Sequence, residues 1–126
     1  MKIHHVAMTV NNLKESKAFY AEMFGFEVVQ EFQRKDMGAR ATFMKLGECA
    51  IELWQFENMT KNQDDLSVLS IRGVRHLAFE VENLDKTIAK LHARGLKFST
   101  PTMGASGHRY AFTSDPSGIP LELYEK

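Results

Sequence analysis

The sequence predicts an α+β fold in which one βαβββ module occurs twice. Alternating apolar and polar residues at 3–10 and 74–81 are typical of half-buried strands, and an amphipathic helical pattern follows each segment. The two segments also align with each other, which indicates an internal repeat within the 126 residues. We expect one domain whose modules form a cupped mixed sheet with the helices outside. Its parts are a first module at 1–56, a linker at 57–73 and a second module at 74–126, together spanning 1–126.

The repeat rests on landmarks that keep their spacing. When the first alternating segment is set above the second, His5 falls on His76, at an offset of 71 residues (76 − 5). The segment around Glu52 matches the segment around Glu122 at an offset of 70 residues (122 − 52). A single deletion accounts for the difference of one residue. Several landmarks in register favour a duplication over coincidence.

Each module contains one helix with recognisable ends. Asn12 and Asn83 are placed to accept hydrogen bonds from the free N–H groups at a helix start. Gly25 and Gly95 follow the last helical residues, where a left-handed conformation is common. Two further strands are expected near the end of each module, at 41–46 and 49–56 in the first and at 109–114 and 119–125 in the second.

Three features are set aside as carrying no chemistry. The mixed charges from Glu31 to Arg40 are typical of a solvated loop. Cys49 falls on the same face of its strand as the apolar residues at alternate positions after it, so we expect it in the core and not as a nucleophile. His4 lies on the opposite side of the first strand from His5, so the tandem histidines are not expected to chelate together.

The composition argues against several classes of function. Sixteen basic and sixteen acidic residues cancel, so no broad electrostatic field for nucleic acid or an anionic membrane is expected. No run approaches the ~18 apolar residues of a membrane span, and the first residues lack a signal-peptide pattern. A single cysteine implies neither an internal disulfide nor an oxidising compartment. We expect a cytoplasmic protein whose partner is a small molecule.

Strand parity places four ligand-capable side chains on one surface. Successive side chains of a strand point to opposite faces, and the apolar face of each strand is needed against its helix. The concave face then carries His5 and Glu52 from the first module and His76 and Glu122 from the second. Two imidazoles and two carboxylates suit Zn²⁺, Ni²⁺, Co²⁺, Mn²⁺ or Fe²⁺, with two positions of an octahedral ion left open. Each residue alone is better explained as an ordinary polar strand residue, but the repeated set predicts one metal site.

Other side chains near this surface are candidates for substrate binding. Trp54 and Tyr124 share the concave face with the two carboxylates on the same strands. A glycine-containing loop before the strand at 109–114 carries His108 and Arg109, which suit an anionic group of a substrate. A solvated hairpin loop explains the same segment equally well.

At these residues the sequence resembles the vicinal oxygen chelate superfamily. The resemblance covers nearly the whole chain and is clearest in HVAMTV at 5–10, GVRHLAFEV at 73–81 and DPSGIPLELY at 115–124. It implies that the four predicted ligands form the metal quartet used by glyoxalase I. It also implies a homodimer, since superfamily members commonly form one. Modules of such proteins pair within one chain or are swapped between chains, and the sequence leaves both arrangements open.

The resemblance to glyoxalase I further implies a metal-dependent lyase or isomerase, similar to lactoylglutathione lyase. The metal stabilises an enediolate of a small carbonyl substrate. A carboxylate, Glu122 ahead of Glu52, removes and returns the proton next to the carbonyl. Bacterial glyoxalase I carries an arginine for the glutathione carboxylate where this chain has Thr9, which argues against glutathione as part of the substrate.

Two alternatives stay open. The chain also resembles methylmalonyl-CoA epimerase, in residues 73–84 and in the loop Gly104-Ala105-Ser106-Gly107. That racemase needs two opposed bases, and the second is not assigned. A non-catalytic small-molecule or antibiotic-binding protein of the bleomycin-resistance type does not need the quartet. Extradiol dioxygenases bind iron with two histidines and one glutamate, so the additional carboxylate argues against that class.

Overall fold

The computed structural model describes residues 1–61 and 64–126. The chain divides into two compact units, Met1–Lys61 and Asn62–Lys126. Each unit contains a four-stranded mixed sheet and one α-helix, which confirms the predicted α+β class. The linker expected at 57–73 forms neither helix nor strand in its described part, and its residues 62 and 63 lie outside the described residues.

The first unit has the predicted βαβββ order. Its elements are β1 (Val6–Thr9), α1 (Leu13–Phe24), β2 (Glu27–Arg34), β3 (Ala39–Leu46) and β4 (Cys49–Phe56), with a 3-10 helix at Lys35–Met37 between β2 and β3. The strand order across the sheet is β1-β4-β3-β2. Within it β1 runs parallel to β4, and the other neighbours are antiparallel.

The second unit repeats this topology. Its elements are β5 (Leu77–Val81), α2 (Leu84–His92), β6 (Thr102–Met103), β7 (Arg109–Ser114) and β8 (Pro120–Glu125). The strand order is β5-β8-β7-β6, with β5 parallel to β8 and the other neighbours antiparallel. The two sheets therefore have the same order and the same strand directions.

Both helices begin at the predicted caps. Asn12 Oδ1 accepts a hydrogen bond of 2.9 Å from the backbone N–H of Glu15, and Asn83 Oδ1 accepts one of 2.9 Å from Lys86. Gly25 ends α1 with φ at 80°, a left-handed conformation that a side chain would strain. Among the described residues no helix is long and apolar enough to cross a membrane.

A second hydrogen bond attaches the start of each helix to the last strand of its unit. The backbone N–H of Leu13 donates to Gln55 Oε1 at 2.7 Å, and the backbone N–H of Leu84 donates to Glu125 Oε1 at 2.8 Å. Gln55 and Glu125 stand 70 residues apart (125 − 55), the offset of the repeat. These bonds satisfy N–H groups that no helical partner reaches.

The helix of each unit covers one face of its sheet. In the first unit Leu53 of β4 lies between Met8 of β1 and Thr42 of β3, and all three are buried. In the second unit the equivalent Leu123 lies beside Ala111 of β7, and both are buried. Burial of a leucine side chain contributes about 1.5–3 kcal/mol. The opposite face of each sheet, which carries Glu52 or Glu122, is called the His–Glu face below.

Two sequence expectations about the first unit are wrong. The charged segment predicted as a loop contains the end of β2, from Glu31 to Arg34, and then the 3-10 helix. Because β2 is an edge strand, all its residues except Phe32 are exposed while its backbone pairs with β3, and the composition resembles that of a loop. Cys49 is exposed and not part of the core, since it pairs with Leu46 beside the turn that joins β3 to β4.

Candidate metal centre and its surroundings

In the first unit, His5 and Glu52 form a close pair on the His–Glu face. Ala7 of β1 is the parallel partner of Glu52 of β4, and His5 precedes Ala7 by two residues. His5 Nε2 lies 3.6 Å from Glu52 Oε2. The Glu52 side chain is only 13% exposed. A carboxylate so far removed from water needs a compensating donor or cation.

In the second unit, His76 and Glu122 form an equivalent pair. Ala78 of β5 is the parallel partner of Glu122 of β8, and His76 again precedes that alanine by two residues. His76 Nε2 lies 3.0 Å from Glu122 Oε2, and the Glu122 side chain is 14% exposed. The repeat therefore preserves both the spacing along the strands and the close approach of the two side chains.

A phenylalanine packs against the histidine of each pair, and the sequence analysis missed both. Phe43 of β3 is the cross-strand neighbour of the first glutamate, and its ring meets His5 edge-on at 5.1 Å. Phe112 of β7 holds the same position beside the second glutamate and meets His76 at 5.2 Å. The phenylalanine precedes the glutamate by nine residues (52 − 43) and ten residues (122 − 112). This related spacing was the signal that could have identified them.

His4 supports the first pair, although the sequence analysis set it aside. The Nδ1 atoms of His4 and His5 lie 2.9 Å apart, so one ring donates and the other accepts. His5 Nε2 is thereby left facing Glu52. With His5 as the donor, its Nε2 carries the lone pair that a metal ion would need. The side chains of the two histidines need not point to opposite faces, because both residues precede β1, which begins at Val6.

The donor atoms of each pair fit a divalent cation. An imidazole nitrogen and a carboxylate oxygen separated by 3.0 Å or 3.6 Å are close enough to share one ion with bonds of about 2.1 Å. Each pair supplies two ligands. Within neither unit do the described residues gather three or more His, Cys, Asp or Glu side chains that could hold an ion. One pair is thus half of the four-ligand set that the sequence predicts.

An aromatic cluster extends the His–Glu face of the first unit. Trp54 of β4 is the parallel partner of Thr9, two residues beyond Glu52. Its indole stacks on Phe56 with ring centroids 5.7 Å apart and meets Phe32 edge-on at 5.4 Å. This cluster offers a flat apolar surface next to the first His–Glu pair.

Tyr124 extends the His–Glu face of the second unit. Its hydroxyl donates a hydrogen bond of 2.9 Å to Ser106 Oγ, which holds the glycine-containing loop against β8. The His108 ring lies 5.2 Å from the Tyr124 ring, and His108 Nδ1 lies 2.9 Å from the carbonyl oxygen of Glu125. A Cβ on Gly104 would come within 3.2 Å of the Tyr110 ring. A side chain at this position would therefore crowd the Tyr110 ring and the carbonyl oxygen of His108.

Arg109 is engaged in ion pairs within the second unit. Its guanidinium donates two hydrogen bonds to Asp85, at 3.0 Å and 2.9 Å, and lies 3.6 Å from Glu125 Oε2. Hydrogen bonding to Arg109 lowers the pKa of Asp85 below its ordinary value, and the same contact raises the pKa of Arg109. The side chain thus links the first turn of α2 to β8. A role for Arg109 in substrate binding stays a prediction.

Comparison with known proteins identifies the family. Residues 2–123 match the glyoxalase/bleomycin resistance protein/dioxygenase superfamily. The uncharacterized protein YwkD of Bacillus subtilis is 38% identical over 98% of this chain and 96% of its own length. The mitochondrial methylmalonyl-CoA epimerase of Dictyostelium discoideum is 29% identical over 99% and 78%. The crystal structure of a glyoxalase family protein from Enterococcus faecalis superposes with a TM-score of 0.87, at 34% identity over 98% of this chain and 97% of that one. The chain therefore belongs to the glyoxalase/bleomycin resistance protein/dioxygenase superfamily.

Proposed function

We propose that the protein is a metal-dependent lyase or isomerase of the glyoxalase I type, which moves a proton next to the carbonyl group of a small substrate. The observation that carries this proposal is the repeated His–Glu pair, present at equivalent strand positions of both units. Membership of the superfamily is consistent with such chemistry. A purely structural role would not require the same two residue types to approach each other twice.

In this proposal His5, Glu52, His76 and Glu122 are the ligands of a divalent metal, one of Ni²⁺, Zn²⁺, Co²⁺, Mn²⁺ or Fe²⁺. When bound, the ion supplies a Lewis acid that favours negative charge on the oxygens of an enediolate. The histidines contribute neutral nitrogen donors, and the glutamates contribute two negative charges that offset those of the cation. The phenylalanine beside each histidine restricts the orientations open to its ring.

The chain's own residues move the proton and exclude water. A carboxylate takes the proton from the carbon next to the carbonyl and returns it to the neighbouring atom. We assign this role to Glu122 first and Glu52 second. Trp54 and Tyr124, two residues beyond these glutamates, are proposed to contact the substrate. The indole covers its apolar part, and the Tyr124 hydroxyl, already bonded to Ser106 Oγ, fixes the loop beside it.

Methylmalonyl-CoA epimerisation is the second candidate. It uses the same enolisation but returns the proton to the same carbon from the opposite side. The similarity to the Dictyostelium discoideum enzyme over nearly the whole chain favours it. The loop Gly104-Ala105-Ser106-Gly107 favours it as well, because its contact with Tyr124 brings it to the His–Glu face. We assign the two bases of this reaction to Glu52 and Glu122.

Metal analysis tests the ligand set. We expect one divalent ion per chain after purification or after titration of chelator-treated protein. His5→Ala and His76→Ala should each abolish tight binding, because each removes one of four ligands. His92→Gln is the matched control, since His92 is the last residue of α2 and its Nδ1 lies 3.1 Å from the carbonyl oxygen of Leu96. Absence of tight binding, or undiminished binding in both alanine variants, would overturn the proposed metal centre.

Two assays separate the candidate reactions. Metal-loaded protein is given the hemithioacetal of methylglyoxal and glutathione in one assay and methylmalonyl-CoA in the other. Turnover of the hemithioacetal supports the glyoxalase I type, and turnover of methylmalonyl-CoA alone supports the epimerase. Tight metal binding with no turnover of either compound contradicts both and favours a non-catalytic small-molecule binder.

A further inference from the structure

A cavity in the first unit lies on the helix side of the sheet, away from the His5–Glu52 pair. It has a volume of about 320 Å³ and is bounded by the first turns of α1 and by β2 and β3. Glu31 and Thr42, cross-strand partners on the face that α1 covers, are part of its wall. Phe43, the neighbour of the metal-centre glutamate, points to the other face. We call this cavity, lined by Lys14, Lys17, Glu31, Gln33, Arg40 and Thr42, the α1 groove.

The charges of the α1 groove do not balance. Lys14 and Lys17 on α1 and Arg40 on β3 are positive, and Glu31 on β2 is the single negative group. Lys17 Nζ forms an ion pair with Glu31, and this contact lowers the pKa of Glu31 below its ordinary value. Glu31 is therefore ionised at neutral pH and offsets the charge of Lys17. Two positive charges are left without a counter-charge in the groove.

Lys14 and Arg40 are the cations that remain. No ion pair joins either of them to another of the residues that the structure describes. Lys14 stands in the first turn of α1, where the helix dipole adds positive potential. Arg40 lies opposite Gln55 in the β3–β4 pair. The side-chain oxygen of Gln55 accepts a hydrogen bond from the backbone N–H of Leu13. The amide of Gln55 therefore fixes the helix start beside Arg40.

We propose that the α1 groove binds the oxyanion group of a small molecule, a phosphate or a carboxylate, between Lys14 and Arg40. A volume of about 320 Å³ is at the lower end of small-molecule sites, so the ligand is of metabolite size. The buried side chain of Leu13 gives the ligand a partly apolar wall. The Lys17–Glu31 pair bounds the site, and Glu31 repels an incoming anion.

NMR titration of the ¹⁵N-labelled protein locates the site. The probes are inorganic phosphate and, separately, acetate, at constant ionic strength and with chelator-treated protein so that a bound metal cannot attract them. Saturable shifts should centre on the amides of residues 13–17 and 31–42. Saturation by phosphate alone assigns a phosphate ligand, and saturation by acetate alone assigns a carboxylate. No saturation by either at ~10 mM, or shifts centred on His5 and Glu52, overturns the proposal.

Charge variants test the residues. Lys14→Gln and Arg40→Gln should each weaken binding by about two- to fivefold, the range expected for exposed charge pairs. Glu31→Gln should strengthen it by a similar factor, because the repulsion is removed and Lys17 is released. The matched controls Lys90→Gln on α2 and Glu27→Gln on β2 should leave the affinity unchanged. An unchanged affinity in the Lys14→Gln/Arg40→Gln double variant, or a weaker one in Glu31→Gln, rules the site out.

Discussion

At the scale of single residues, Glu122 has two proposed roles, as a metal ligand and as the base that transfers the proton. Glutamine keeps the size of the side chain but removes its charge and its basicity. Glu122→Gln is therefore expected to lower kcat by about 10²–10⁴-fold on whichever of the two candidate substrates is turned over. Glu48→Gln, in an exposed turn of the first unit, is the matched control. Undiminished turnover in Glu122→Gln would show that the base is misassigned.

Much of the candidate site could be derived from residue positions, because strand parity and an internal repeat act together. Parity placed a glutamate on the face opposite the helix in each unit, and the repeat showed that the histidines correspond. Contacts that depend on local backbone geometry could not be derived in this way. His4 meets His5 only because β1 starts after both residues. The engagement of Arg109 by Asp85 depends on where α2 lies over its sheet.

At the scale of elements, the caps Asn12 and Asn83 hold the helix starts. Each side chain accepts a hydrogen bond from a backbone N–H that otherwise has no helical partner. Asn12→Ala and Asn83→Ala should each lower the free energy of unfolding by about 1 kcal/mol, measured by urea denaturation. Asn58→Ala, at an exposed position outside helix and strand, should cost much less. Equal losses in all three variants would show that the caps contribute no specific stability.

The Asp85–Arg109 pair should make the attachment of α2 depend on pH. The pKa of Asp85 is lowered from 3.8 by its hydrogen bonds with Arg109, so the pair stabilises the folded state above that ordinary value. The contribution is lost as the pH falls through the lowered pKa of the folded state. The Tm difference between wild type and Asp85→Asn should therefore be present at neutral pH and shrink as the pH falls below the ordinary pKa of 3.8.

Glu82→Gln, two residues before α2 and exposed, is the control for Asp85→Asn. The effect of the Asp85 substitution should be small, because both partners are accessible to water and the pair is screened by salt. A Tm difference that stays constant over the acidic range would mean that the charge of Asp85 does not contribute to the attachment of α2.

Neither β2 nor β6 was located from the sequence, and for β2 the reason is physical. Phe32 is partly buried and the other seven residues of β2 are exposed, so the strand lacks the alternation by which half-buried strands are recognised. Backbone pairing with β3 holds β2 in place. Such pairing does not depend on which side chains are polar, so the sequence pattern does not indicate it. The elements that were predicted correctly all have one apolar face against a helix or a capping residue at a defined end.

At the scale of the whole molecule, the proposed metal should stabilise the fold. A ligand that binds only the folded state raises the free energy of unfolding by about 2.7 kcal/mol at a hundredfold excess over its Kd. Ni²⁺ or Zn²⁺ should accordingly raise the Tm of chelator-treated protein, and a chelator should reverse the shift. Mg²⁺, which prefers oxygen ligands and retains its waters, should have much less effect. An equal shift in the His5→Ala/His76→Ala double variant would contradict the assigned ligands.

The bonds that tie the two helix starts to their sheets are made by different chemical groups. On α1 the acceptor is the neutral amide of Gln55, whereas on α2 it is the carboxylate of Glu125, which also lies 3.6 Å from the Arg109 guanidinium. Dissolved ions weaken charged contacts at accessible positions and leave neutral hydrogen bonds almost untouched. Two halves with the same architecture have thereby acquired unequal sensitivity to ionic strength. Rising salt is therefore expected to weaken the attachment of α2 more than that of α1.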